Sequence, residues 1–219
     1  MLNMRSIDET TAAARIRDAA LARFPVDGFE GTTVRAIAED AGVSAALVIH
    51  HFGSKEGLRQ ACDEYVIARI GQTKTEAIES KTLTDPSTMQ SGLRMAGPLI
   101  KYLAWALASG SDQAARVFDD LVAESTRLLE LAVEHGAMHP GPDPLARTAV
   151  QLAMQMGTFV MHEHLGRVLG VDPMSEEGVA RIARATLELF SGAMFPPGRA
   201  EEMLAALEAA ANRKEEHDG

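Results

Sequence analysis

The chain has 219 residues, 46% of them hydrophobic and 24% charged, with a formal net charge of −10. That is enough apolar mass to bury a core without staples, and the acidic balance excludes a protein that coats nucleic acid through lysine and arginine alone. Cys62 is the single cysteine, so an intramolecular disulfide is impossible and a reducing, intracellular compartment fits. The opening MLNMRSIDETTAAAR carries charges and hydroxyls where a secretory signal needs an apolar run, and no later window offers about 18 uncharged apolar residues. The expected setting is cytoplasmic, with no membrane partner. Charge is distributed unevenly, with residues 1–70 summing to about −2 and the rest to about −8. Any DNA contact by the first third therefore rests on a few well-placed groups and on dimerisation.

Helical periodicity dominates and no long alternation suggests a strand, so the expected class is all-α. In RIRDAALARF, Ile16, Ala19, Ala20 and Phe24 form one stripe of an amphipathic helix. Pro25 and the turn at Asp27-Gly28 are expected to stop it. Thr33 suits an N-cap, and Val34, Ile37, Ala38 and Ala41 mark one face of a second helix. Gly42 then serves as a left-handed C-terminal residue, and Ser44 caps a third helix at once. Two short helices joined by so short a turn make a helix-turn-helix. Ser54 caps a long segment, and further helices are expected at 86–109, 112–135, 144–169, 175–194 and 199–213, separated by turns rich in glycine and proline.

From RIRDAALARF through GFEGTTVRAIAEDAGVSAALVIHHFGSKEGL the chain resembles the TetR (tetracycline-repressor-like) family of one-component transcriptional regulators. The shared pattern is a G-F before T-T-V, an I-A three residues on, A-G-V-S, and H-F-x-x-K-E-x-L. Two positions depart from it: Ala46 stands where the family usually has glycine or another small residue, and Ile49 where it usually has tyrosine. Ile49 removes a hydroxyl that relatives commonly place on DNA. The resemblance implies an N-terminal three-helix DNA-binding domain at 8–55, a linker helix at 54–79 and a larger helical ligand-binding and dimerisation domain at 80–215. The last 150 or so residues carry no motif of their own.

In a helix-turn-helix the second helix enters the major groove while the first crosses the backbone. Val48 and Phe52 point to the core, which leaves Ala45, Ala46, Leu47, Ile49, His50 and His51 outward. An apolar outer face suits thymine methyl groups. Arg35 can reach a guanine through its forked donors, or simply be solvated. Thr33 and Ser44 offer hydroxyls and free helix-start amides to phosphates. The resemblance implies a phosphate contact for His51 and another for Lys55, and His50 is placed to reach a base or the adjacent backbone.

Tyr102, Trp105, Phe118, Met154, Phe159 and His162 are the candidate lining of a pocket for an apolar small molecule, an adaptable set of methionine and aromatics. The same residues would serve equally as ordinary core. Ala183, Leu187, Phe190 and Met194 form an apolar stripe where the family dimerises, fit for a partner or for an intramolecular core face, and two-fold DNA recognition leads to a homodimer as the expectation. His50 and His51 are adjacent and His162 and His164 two apart, the wrong spacings for sharing one ion on a helix. No metal site and no cofactor are expected. G-x-S-x-G, P-loop, G-x-G-x-x-G and H-E-x-x-H patterns are all missing, so no enzyme is expected. The functional expectation is a repressor released from operator DNA by a small molecule, with a helical protein–protein interaction module as the alternative.

Overall fold

Thr33 closes the start of the second helix by accepting the Ala36 amide at 3.1 Å, and Ser44 closes the third by accepting the Leu47 amide at 3.2 Å. These caps satisfy donors that a helix start otherwise leaves unpaired. In a computed structural model, which describes residues 4–191, 198–199 and 202–203, all the regular structure is helical. The described elements are α1 (Met4–Gly31), α2 (Val34–Ala41), α3 (Ala45–Phe52), α4 (Lys55–Glu79), α5 (Pro86–Ala108), α6 (Asp112–Glu134), α7 (Pro144–Val160), α8 (His162–Leu169) and α9 (Glu176–Phe190). The chain forms two compact units, Met1–Met174 and Ser175–Gly219.

In the first unit α1 packs on α2, α3, α4 and α5, and α4 continues to lie against α5 and α6. The main core joins Ile16, Ala20 and Phe24 of α1, Ile37 of α2, Val48 of α3, and Leu58, Cys62 and Val66 of α4 to Tyr102 and Leu103 of α5 and Val117 and Leu121 of α6. A smaller cluster of Ile78, Leu128 and Ala132 closes the far end of α4 on α6. One helix, α4, is therefore shared by the helix-turn-helix and the C-terminal helices. Near its middle Gly71 lies under Glu124 of α6, and a Cβ there, 2.0 Å from Glu124 Oε1, would make the glutamate side chain shift.

Two boundaries differ from the expectations. Helix α1 runs through Pro25, and the interruption falls at Gly28, within the expected Asp27-Gly28 turn, with φ 70° and ψ 169°. Phe24 is fully buried and stacked on Trp105, which holds the turn carrying Pro25, whereas Gly28 takes a positive φ without a Cβ penalty. The expected 144–169 helix breaks at Met161, with φ −92° and ψ 17°. No glycine or proline marks that residue. The expected 199–213 helix falls almost wholly outside the described residues, as does Met194.

In the second unit α9 starts on a Ser175 cap that accepts the Gly178 amide at 3.1 Å. Leu187 and Phe190 on this helix are exposed, at 63% and 50%, and Ala183 is half-buried.

Candidate nucleic-acid interface

The turn between α2 and α3 is made by Gly42, at φ 64° and ψ 41°, whose amide returns to the carbonyls of Ala38 and Glu39. Val43 donates to the Ala38 carbonyl at 2.9 Å, so the last turn of α2 is closed before Ser44 opens α3. Val48 is fully buried and anchors α3 against α1 and α2. With that side fixed, Ala45, Ala46, Ile49 and His50 are exposed and Leu47 is half-buried. The exposed face of α3 carries no lysine, arginine, aspartate or glutamate. Ser44→Ala should cost about 1 kcal/mol of stability by removing the α3 cap, read as a shift of the urea midpoint at unchanged slope.

Arg35 is exposed on α2, and Thr33 is exposed at its cap. His51 is half-buried, and its Nε2 is enclosed without a partner among the described residues. A phosphate contact through that atom would require the ring to turn. The Lys55 ammonium donates to the carbonyls of Phe29 at 2.8 Å and Thr32 at 3.1 Å, and it lies 4.3 Å from the Phe29 ring centre. Two of its three donors thus tie α4 to the loop before α2, leaving one for any phosphate.

Several supports around this face have no short-range signal in the sequence. Arg23 of α1 pairs with Asp40 of α2 through two hydrogen bonds, and with Asp27 at 3.0 Å. The Arg23 guanidinium holds the Asp40 carboxyl below its ordinary value. Arg59 of α4 lies over both the Phe29 ring, at 5.3 Å, and the Trp105 ring, at 5.0 Å. Trp105 in turn stacks on Phe24 with centroids 5.5 Å apart and planes 5° from parallel. Only the Arg23–Asp27 pair, four residues apart on a helix, is visible in the sequence itself.

Deeper in, the buried Asp63 carboxylate accepts hydrogen bonds from Tyr102 at 2.6 Å and Gln113 at 2.7 Å, joining α4 to α5 and α6. Burial raises the Asp63 pKa, against the lowering effect of those two hydrogen bonds and of Arg59. The folded chain therefore keeps a proton that the unfolded chain has lost, so this group stabilises less as pH rises through the window above the ordinary aspartate range. Asp63→Asn should remove that part of the pH slope. Urea midpoints of both proteins between about pH 4 and neutrality measure it, and parallel slopes would exclude the assignment.

The six residues expected to line a pocket lie in different surroundings. Tyr102 is fully buried on Asp63, Trp105 belongs to the stack just described, and Phe118 packs against the main core. Met154 is exposed, Phe159 is half-buried, and the His162 Nδ1 sits 2.9 Å from the Phe159 carbonyl. A separate cavity of about 270 Å³ opens between α4, α6 and α7, with Lys74, Ile78, Leu128, Leu129, Leu152 and Gln155 in its wall. No group of three or more potential metal ligands occurs among the described residues. No helix among them is long and apolar enough to cross a membrane.

Two capped short helices around a left-handed glycine, the second with an uncharged outer face, set on a larger helical region, define a helix-turn-helix regulator. Comparison with known proteins agrees. Residues 16–62 match the family described as bacterial regulatory proteins, tetR family, and residues 95–196 match the tetracyclin repressor-like C-terminal domain. The chain is 42% identical over 159 residues to the HTH-type transcriptional regulatory protein RaaS of Mycobacterium tuberculosis, covering 73% of this chain and 74% of that protein. A solved TetR-family regulator from Mesorhizobium loti superposes with a TM-score of 0.55 at 19% identity, over 83% of this chain and 96% of that one. SmeT, described as the repressor of the Stenotrophomonas maltophilia multidrug efflux pump SmeDEF, superposes with a TM-score of 0.53 at 22% identity, over 81% and 89%. The chain belongs to the TetR family of helix-turn-helix transcriptional regulators. The family and the relatives named here are regulators rather than enzymes.

Proposed function

We propose that the protein is a cytoplasmic, homodimeric repressor that leaves its operator when a small molecule occupies its C-terminal helices. Residues 8–55 act as the DNA-binding domain, 54–79 as the linker helix and 80–215 as the ligand-binding and dimerisation region. Thr33, Arg35 and Ser44 meet the duplex beside the reading face of Ala45, Ala46, Leu47, Ile49, His50 and His51. The observation that carries this reading is α4. Near its start Lys55 and Arg59 hold Phe29 at the end of α1, and Lys55 also binds the Thr32 carbonyl that leads into α2; about 28 Å further along, at 1.5 Å per residue, Lys74 and Ile78 form a wall of the α4–α6–α7 cavity.

A ligand that prefers one setting of α4 against α6 and α7 thereby prefers one setting of α2 and α3. Operator binding needs both reading helices of a dimer about 34 to 36 Å apart, so a change in α4 alters affinity without touching DNA. Ligand and operator then oppose each other reciprocally. The exposed Leu187 and Phe190 of α9 favour the dimer, since large apolar side chains gathered on one helix mark an interaction surface. SmeT, a repressor by its own description, supports the direction of regulation.

The test is an electrophoretic shift with DNA flanking the gene, at stated salt, together with sedimentation of the free protein. A specific shift by a dimer is expected. A protein that dimerises and binds no flanking DNA above the non-specific level would instead be an interaction module that keeps the fold.

A further inference from the structure

We infer that the cavity between α4, α6 and α7 binds a small amphiphilic monoanion, with its anionic head at Lys74 and its apolar body against Ile78, Leu128, Leu129 and Leu152. The inference rests on the ligand-release reading only for its consequence at the operator, not for binding itself. Three observations converge on it.

The first is composition. Among the described residues lining the cavity, Lys74 is the one charged side chain, and the apolar residues of α4, α6 and α7 form most of the remaining wall. The second is that four of the five polar side chains at this wall make no hydrogen bond within the described residues. Lys74, Ser125, Gln151 and Gln155 make no side-chain hydrogen bond to any described residue, and the last three are half-buried. Thr148 differs, since its hydroxyl already donates to the Pro144 carbonyl at 2.7 Å. Polar groups partly withdrawn from water and left unspent are what a ligand head would satisfy. Lysine, serine and two amides can together donate to both oxygens of a carboxylate or similar head group.

The third is size. At about 30 Å³ for each water-sized group, 270 Å³ holds a molecule of on the order of nine non-hydrogen atoms. Lys74 keeps contact with solvent, although the protein around it lowers its ammonium pKa and Glu124 works against that shift. The head group is therefore placed at the open side, with the apolar body inward. Glu124 is held by Arg127 through bonds of 2.7 and 2.9 Å and lies over Gly71, so it offsets the Lys74 charge only in part.

The experiment is calorimetric titration of the full chain with octanoate and with 1-octanol, which share one apolar body and differ in the head. Octanoate is expected to bind at least about ten-fold more tightly than octanol, as a charge-assisted pair should. Lys74→Met should remove that preference, and Lys74→Arg should restore it. Equal affinities for the two probes, no binding of either, or a Lys74→Met protein that still prefers octanoate would each overturn the inference. Operator affinity measured with octanoate present separates the two ideas. Preferential binding through Lys74 with no loss of operator affinity leaves this site standing and refutes release by its ligand.

Discussion

Phe24→Ala is expected to lower the unfolding free energy by about 4 kcal/mol, the cost of emptying a fully buried aromatic site that the surroundings refill only in part. The ring does more than fill space. It stacks on Trp105 at 5.5 Å and lies 5.7 Å from Phe29, so it joins α1 to α5 and braces the end of α1 beyond the Gly28 kink. Losing it also removes the hydrophobic grip that holds α1 helical through Pro25. Trp105 is the chain's single tryptophan, so its emission reports this joint alone. Urea unfolding followed by that emission measures both effects. A loss below about 1 kcal/mol, or an unchanged native spectrum, would mean that the stack adds little to the fold.

Ile49→Asp is expected to weaken operator binding by about 100-fold or more, or roughly 2.7 kcal/mol, while changing stability by no more than about 0.5 kcal/mol. Ile49 is 44% exposed and points about 100° around α3 from the buried Val48, so the new carboxylate meets water in the free protein. Against DNA it meets base-edge acceptors and phosphates, where a negative charge is repelled and desolvated. Titration of operator DNA, with thermal unfolding of the same preparation, separates the two effects. An unchanged operator affinity would show that this face reads nothing.

What was legible in the sequence was local. Thr33, Gly42 and Ser44 act within a few residues of themselves, through a cap bond or a positive φ, so their residue types suffice to place them. The outward set on α3 followed from the same logic, because Val48 fixes which side of a short helix is core. Arg23–Asp40 and Asp63–Tyr102 join residues 17 and 39 positions apart, and no periodicity announces such contacts. Lys55 shows a different gap. The resemblance implied a phosphate contact, whereas the Phe29 and Thr32 carbonyls, 26 and 23 positions away, take two of its donors. The aromatic and methionine residues of the C-terminal helices were visibly concentrated, yet a concentration does not say which side chains meet. Tyr102 and Trp105 went to the joint with α1 and α4, and the cavity wall drew on Ile78, Leu128 and Leu152. At Met161 the break has no local marker in the sequence.

The absence of lysine and arginine from the outer side of α3 and the internal engagement of Lys55 have a consequence for conditions inside a cell. Salt weakens protein–DNA complexes in proportion to the phosphates that are neutralised, at about 0.9 in the logarithmic slope for each one. An operator met mainly through methyl contacts releases few counterions. On the proposed reading, occupancy then falls less steeply with ionic strength than it would for a regulator that grips phosphates with many lysines and arginines.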